Sequence, residues 1–265
     1  MTAAARVTML GRAGWRPLLL LVLLLGVWEL YVDLGGADPL ILPPPHAVAQ
    51  ALYDDRSLLW SNFLVTAEEI SLGILVAGAT GLAFAIALHF SPGTLRPAVY
   101  PLLIATQAVP VVLLAPVLVL WLGFGLAAKL VVIAIVSFFS IVVTTLSALG
   151  SVDPELVKLM RTLDASRLQT FRYVELPWAL PGLFTGTKIA VVVAPIAAVL
   201  AEQAGSSSGL GYVFTEALAQ LLTPRMWAAV AILAAFAVAL FVLLTVAERL
   251  ALPWAHQSSL PGGSP

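Results

Sequence analysis

Long runs of mostly hydrophobic residues alternate with short polar stretches along most of the chain. Each run is long enough to cross the hydrocarbon core of a bilayer as a helix, which takes about 20 residues. The predicted spans cover about 17–34, 70–88, 97–121, 127–149, 180–202 and 226–250. This pattern predicts an all-α, polytopic membrane protein with about six transmembrane helices.

Prolines subdivide this pattern. The proline run 43–45 is expected to stop the helix that precedes it, and a short amphipathic helix is expected over 46–53. Pro101, Pro110 and Pro116 are expected to kink the third span, because proline removes a helical hydrogen bond.

Composition supports a membrane location and narrows the chemistry. The chain is 61% hydrophobic and 10% charged, whereas soluble domains carry about 25% charged residues. Its net charge of −1 gives no reason to expect a nucleic-acid partner. Cysteine is absent, and His46, His89 and His256 lack metal-ligand spacing, so we expect neither a metal nor a bound cofactor.

The lysines and arginines predict the orientation, because these residues are enriched in cytoplasmic loops. With six spans and a cytoplasmic N-terminus, only Arg56, Lys129 and Arg225 lie outside. The cytoplasmic residues are Arg6, Arg12, Arg16, Arg96, Lys158, Arg161, Arg167, Arg172 and Arg249. The sequence thus predicts a cytoplasmic N-terminal segment (1–16), a membrane domain (17–252) and a cytoplasmic C-terminal tail (253–265).

The charged stretch 150–178 lies between the fourth and fifth predicted spans and is expected to be a cytoplasmic loop. Asp153 is a good N-cap, Pro154 suits the first helical position, and Glu155 complements the helix dipole. An apolar stripe at helical spacing follows, opposite a polar face. The stripe is Leu156, Leu159, Met160 and Leu163, and the polar face carries Lys158, Arg161 and Thr162.

The same loop contains signals for a second helix. Asp164 can adopt the left-handed conformation that ends the first helix, and Ser166 can cap the second. Pro177 is expected to close the unit. These features alone fit two interpretations equally well: a solvated loop with an interfacial amphipathic helix, or a docking surface.

The spacing resembles the cytoplasmic EAA loop of binding-protein-dependent ABC importer permeases, which reads E-A-A, three residues, G, nine residues and I-x-L-P. The stretch 174–177, V-E-L-P, resembles the end of this pattern, and the nine residues 165–173 separate it from Asp164. Two parts of the pattern differ: Lys158-Leu159-Met160 stands in place of E-A-A, and Asp164 stands in place of glycine.

The order of features outside the loop also resembles one branch of these permeases, the one for nitrate, sulfonates, taurine and vitamin precursors. The features are LPPPH at 42–46, TQAVP at 106–110, WLGFG at 121–125, LDAS at 163–166 and GLGY at 209–212.

The resemblance implies a type I importer permease in a prokaryotic cell membrane, usually a homodimer. The partners implied are a cytoplasmic ATPase, which binds ATP and Mg²⁺, and an extracytoplasmic solute-binding protein. The sequence lacks a G-x-x-x-x-G-K-[ST] phosphate loop, in agreement with a chain that does not hydrolyse ATP. The residues expected to couple to the ATPase are Asp153, Glu155, Lys158, Leu159, Met160, Arg161, Leu163, Asp164, Ala165, Ser166, Arg167, Leu176 and Pro177.

Polar groups inside apolar spans are candidates for the solute path, because such groups usually face a cavity or a partner. The candidates are Gln107, Pro110, Lys188 and Glu202. For the charged residues there is an alternative interpretation, in which Lys188, Glu202, Glu68 and Glu69 reach to the membrane interfaces.

Two other functions stay open at this point. A stand-alone secondary transporter or channel is possible, although no inverted repeat is evident. A membrane-embedded enzyme is disfavoured, because the spans hold no paired carboxylates, histidine cluster or cysteine. For the solute, the stretch 159–163 and the prolines of span three resemble the vitamin-precursor members (thiamine pyrimidine or riboflavin type), and a sulfonate or nitrate-like anion is the alternative.

Overall fold

The structure is a computed structural model that describes the backbone of residues 3–256, with side chains described over 15–255 except 17 and 18. The described residues are helical and joined by short turns. The helices are α1 Ala3–Asp33, α2 Pro45–Asp54, α3 Arg56–Phe90, α4 Leu95–Ala108, α5 Val111–Leu122, α6 Leu126–Gly150, α7 Pro154–Thr162, α8 Arg167–Thr170, α9 Leu176–Gln203, α10 Leu210–Ala219 and α11 Thr223–Ala251. A π-helical turn, Phe171–Glu175, joins α8 to α9, and a 3₁₀ turn, Pro253–His256, follows α11.

The lengths and composition of the helices confirm the all-α, polytopic class. The helices α3, α6, the continuous stretch from α8 through α9, and α11 are each long and apolar enough to cross a membrane. The predicted first span, 17–34, coincides with the second half of α1, and the predicted short helix after the proline run is α2. The predicted C-terminal tail lies outside the described residues beyond His256.

The third predicted span, 97–121, is not one kinked helix. Its two halves, α4 and α5, meet at an angle of 92°. Val109 is extended (φ −78°, ψ 117°), as expected of a residue that precedes proline, and Pro110, at the N-cap of α5, has no N–H to donate to α4. Pro101 and Pro116 stay inside α4 and α5. Only Pro110, next to an extended residue, breaks the span.

The helices are grouped into two compact units: residues 1–60 with 213–231, and residues 61–212 with 232–265. In the first unit, α2 is fastened at both ends. The ring of His46 hydrogen-bonds the Glu29 carboxylate of α1. Arg225, at the start of α11, donates two hydrogen bonds of 2.7 Å to the carboxylate of Asp55, which follows α2.

The second unit is built on close packing of α3, α6 and α9. Small residues on α9 allow this approach: a Cβ added to Gly186 would lie 2.7 Å from the Ile141 Cα of α6. A Cβ added to Gly182 would lie at the same distance from the Thr144 carbonyl oxygen of α6. Ala77 and Ala190 pack against Ile141 in this core. Small residues at helix contacts are the usual means by which membrane helices pack tightly.

Candidate coupling surface and solute path

The first helix of the charged loop begins where the sequence predicts. The Asp153 side chain accepts a 2.9 Å hydrogen bond from the backbone N–H of Glu155. Pro154 occupies the first helical position, where its missing N–H has no helical partner to lose. The predicted N-cap is therefore confirmed, and it sets the register of α7.

The predicted apolar stripe lies on the outside of α7. Leu156, Leu159 and Leu163 are 37%, 54% and 68% exposed, and α7 has no buried residue. Met160 is partly buried. Removing large apolar side chains from water lowers the free energy, so this stripe is suited to a protein partner.

The turn after α7 has the geometry of a Schellman motif. Asp164 is left-handed (φ 53°), as predicted, and its N–H bonds the Arg161 carbonyl at 3.1 Å. The Ala165 N–H reaches the Met160 carbonyl at 3.0 Å. These two bonds satisfy the last carbonyls of α7. Asp164 thus adopts, at the glycine position of the EAA pattern, the left-handed conformation that glycine adopts most easily.

The second helix, α8, begins with a capping box. The Ser166 hydroxyl accepts from the Gln169 N–H at 3.3 Å, and the Gln169 side chain accepts from the Ser166 N–H at 2.7 Å. The predicted serine cap is confirmed. The contribution of Gln169 was not predicted, although its position three residues after a serine is a known sequence signal.

The loop does not close at Pro177, which is a correction to the prediction from sequence. The chain stays helical from Arg167 to Gln203, and Pro177 lies in the first turn of α9. The π-helical turn makes this possible. The Leu176 N–H donates to the Phe171 carbonyl five residues back, so the helix is widened directly before the proline. The helices α8 and α9 are therefore parts of one continuous helical stretch.

Two of the predicted solute-path residues lie at the break between α4 and α5. Gln107 and Pro110 are both exposed there. The Gln107 side-chain amide has only a weak contact, 3.4 Å, with the Thr106 hydroxyl. A role for Gln107 and Pro110 in the solute path stays a prediction.

The other two predicted path residues are held by partners inside the structure. Lys188 forms an ion pair of 2.8 Å with Glu248 on α11. Glu202 is 1% exposed and accepts from the Thr66 hydroxyl at 2.6 Å and the Gly211 N–H at 2.5 Å. Glu202 is therefore held inside the protein at the end of α9. A role for Lys188 and Glu202 in the solute path stays a prediction.

The Glu202 network was not predicted as a network. On α3, Thr66 accepts from the Leu210 N–H at 2.8 Å, and Asn62 accepts from the Gly209 N–H at 2.7 Å. Together with Glu202 these side chains hold the start of α10. The sequence signal was limited to a glycine-rich stretch after a carboxylate, because the partners on α3 lie more than 130 residues away.

Comparison with known proteins agrees with this geometry. Residues 70–253 match the family of binding-protein-dependent transport system inner membrane components. The riboflavin transport system permease protein RibX of Chloroflexus aurantiacus is 37% identical over 94% of this chain and 94% of its own. The formylaminopyrimidine transport permease protein ThiX of Halalkalibacterium halodurans is 32% identical over 90% of this chain and 95% of its own. More distant relatives are named as taurine and aliphatic sulfonate transport permeases.

A solved structure shows the same fold. It is that of the inward-facing MetNI methionine ABC transporter, with a TM-score of 0.61 at 21% identity, over 75% of this chain and 96% of the other. Such a family match implies an ATPase and a binding protein as partners, and a membrane subunit that is not itself an enzyme. The chain belongs to the binding-protein-dependent transport system inner membrane components and is an ABC importer permease of the branch that its sequence resembles.

Proposed function

We propose that this permease forms the path for a small solute delivered by an extracytoplasmic binding protein, and that α7 couples it to a separate cytoplasmic ATPase. The observation that carries this proposal is the exposed stripe of Leu156, Leu159 and Leu163 on a helix whose two ends are firmly capped. A preformed helix with an uncovered apolar face binds a cleft without first having to order itself.

The energetics of this contact follow from the side chains. Leu159 and Leu163 supply the apolar area, so they are the residues whose loss weakens docking most. Lys158 and Arg161 lie at the rim and affect the rate and fidelity of association more than its strength. ATP and Mg²⁺ bind to the partner, and ATP hydrolysis takes place there.

The solute path lies, in this proposal, between two copies of the chain. The broken backbone between α4 and α5 is exposed at the middle of a predicted span. Lipid cannot satisfy interrupted backbone groups, so a break at this depth must be covered by protein or lined by water. A homodimer with the two breaks facing a shared cavity meets this requirement, and it exposes Gln107 to the solute.

For the solute, we favour a neutral heterocycle of the vitamin-precursor type. The two lysines placed in predicted spans or at their ends are already neutralised, Lys129 by Glu69 and Lys188 by Glu248. A path for a sulfonate or nitrate-like anion would benefit from an unpaired cation. The identity with permeases named for riboflavin and formylaminopyrimidine transport supports the same choice.

The orientation in this proposal is the one that the arginine and lysine distribution predicts, with both termini and α7 in the cytoplasm. It is required for α7 to reach the ATPase. Attachment of a membrane-impermeant reagent to a cysteine placed in α7 tests it, since the chain has no cysteine of its own.

The decisive experiment on function uses the reconstituted transporter. Leu159→Asp buries a carboxylate in the docking contact, and we expect ATP-driven uptake to fall at least about tenfold. The matched control is Lys158→Ala on the opposite face, for which we expect less than about a twofold change. Solute uptake without any ATPase would instead favour a stand-alone carrier. Competition by riboflavin-type or pyrimidine compounds, and not by taurine, tests the solute class.

A further inference from the structure

His89 lies where three elements meet. It is the second-last residue of α3, and its side chain is only 14% exposed. Its ring Nε2 lies 2.7 Å from the Glu175 carboxylate, at the end of the π-helical turn. Its ring Nδ1 lies 2.9 Å from the guanidinium of Arg96, in the first turn of α4. One imidazole therefore joins α3, α4 and the charged loop 150–178, which we call the coupling loop.

The partners indicate which nitrogen of the neutral ring carries the proton. A guanidinium can only donate, so Nδ1 must accept from Arg96. The proton is then on Nε2, which donates to Glu175. Both ring nitrogens are used, and each bond involves a charged partner, which makes it stronger than a bond between neutral groups. The ring thus bonds the π-helical turn on one side and α4 on the other.

The coupling loop makes further contacts at the same place. Arg167 of α8 donates at 3.4 Å to the His89 carbonyl, and its guanidinium lies 5.0 Å above the Phe90 ring. Phe171, the first residue of the π-helical turn, packs against Phe90 with a centroid distance of 5.0 Å. The segment after α7 is therefore attached to the end of α3 by polar and aromatic contacts together.

The charge pattern indicates that this attachment does more than fill space. Glu175 and Arg96 approach from opposite sides of one imidazole, each bonded to a different ring nitrogen. The π-helical turn and the first turn of α4 are therefore connected through one ring. The helix α4 ends at the broken backbone beside Gln107 and Pro110.

We propose that His89 is a positioning residue that transmits movement of the coupling loop to α3 and α4, and so to the break in the third span. This inference rests on the proposed function, in which α7 receives the movement from the ATPase. In this proposal the movement passes along the contacts from Glu175 through His89 to Arg96. This route acts in addition to the continuous helix from α8 to α9.

Three variants test this proposal in the purified transporter reconstituted with its ATPase and binding protein. His89→Leu keeps the bulk but removes both bonds, and we expect solute transported per ATP hydrolysed to fall about fivefold or more, while the complex still assembles and hydrolyses ATP. His89→Gln provides one donor and one acceptor, and we expect it to restore most of the coupling. Ser91→Ala is the control, because the Ser91 hydroxyl bonds the backbone of the helix end that it follows.

Two further variants, Arg96→Ala and Arg96→Gln, cover the case in which His89→Leu does not assemble. Arg96→Ala removes the donor to Nδ1, whereas Arg96→Gln keeps a donor but removes the charge, so we expect a smaller loss of coupling in Arg96→Gln than in Arg96→Ala or His89→Leu. Normal transport per ATP in His89→Leu, or in Arg96→Ala if His89→Leu fails to assemble, overturns the proposal. Equal losses in His89→Leu and His89→Gln also overturn it, since the bonds would then not matter. If the wild-type chain binds no ATPase, the proposed function fails instead.

Discussion

Lys129 and Glu69 form an ion pair of 2.5 Å between Nζ and Oε1, and the two side chains are only 9% and 3% exposed. The pair joins the first turn of α6 to α3, and Lys129 also donates to the Ser206 hydroxyl at 2.8 Å. It therefore holds the loop that follows α9 against both helices. Because the two charges are taken out of water together, each depends on the other.

Removal of one partner of this pair should destabilise the protein strongly. We expect Lys129→Met to lower stability by about 3 kcal/mol, because the Glu69 carboxylate is left buried without a cation. The double variant Lys129→Met/Glu69→Gln should lose less than the sum of the two single variants. Thermal unfolding of the detergent-solubilised protein measures this. The exposed pair Lys158–Glu155, at 3.4 Å, is the control, and its loss should change the melting temperature little. Additive losses in the buried pair would contradict the account.

The contact between α6 and α9 predicts an asymmetry between two glycines. Gly186→Ala places a methyl group 2.7 Å from the Ile141 Cα, and we expect a loss of about 1–3 kcal/mol. Gly78→Ala meets nothing within 4 Å, so it should be neutral or stabilising by up to about 1 kcal/mol. The two variants are compared by the same unfolding measurement. Equal effects would mean that α6 and α9 do not approach as closely as described.

The Glu202 network predicts a local effect on the loop before α10. Glu202→Ala removes the carboxylate that accepts from the Gly211 N–H and the Thr66 hydroxyl, which should cost about 1–3 kcal/mol and loosen residues 205–209. Glu202→Gln keeps a carbonyl acceptor and should cost less. Limited proteolysis within 205–209 reads the loosening directly. A loop that is cleaved no faster in Glu202→Ala than in the wild type would show that Glu202 does not hold it.

The exposed break in the third span predicts contact with water at membrane depth. A single cysteine in place of Gln107 should react with a water-soluble maleimide, because a thiol must ionise in water to react. Leu243 is 62% exposed on the apolar helix α11, and Leu243→Cys should react far more slowly. The absence of native cysteine makes both measurements clean. Comparable rates at the two positions would contradict a water-lined path at Gln107.

Local signals in the sequence predicted the local structure well. Asp153, Asp164 and Ser166 act within three residues of themselves, so their capping roles are visible in the chain. The sharpness of the break at Pro110 was not, because Pro101 and Pro116 have the same chemistry and remain inside helices. The break differs from the two internal prolines in the extended backbone of Val109, which the sequence does not distinguish.

Pairs of residues far apart in the chain could not be predicted from the sequence. His89 and Glu175 are 86 residues apart, and Lys188 and Glu248 are 60 apart. A charged residue within a predicted span is expected to have a partner, but the hydrophobic pattern does not predict which residue that partner is. The choice depends on which helices are neighbours, and that is set by small residues such as Gly186.

The central claim, that the stripe of α7 docks onto the ATPase, is tested most directly by cross-linking. A benzophenone maleimide attached to Leu159→Cys should photo-cross-link to the ATPase in the assembled transporter. The same reagent on Gln50→Cys, in α2 on the predicted opposite side of the membrane, should not. Efficient cross-linking from position 159 alone is the predicted result. Cross-linking to the ATPase from position 50 and not from position 159 would contradict the account.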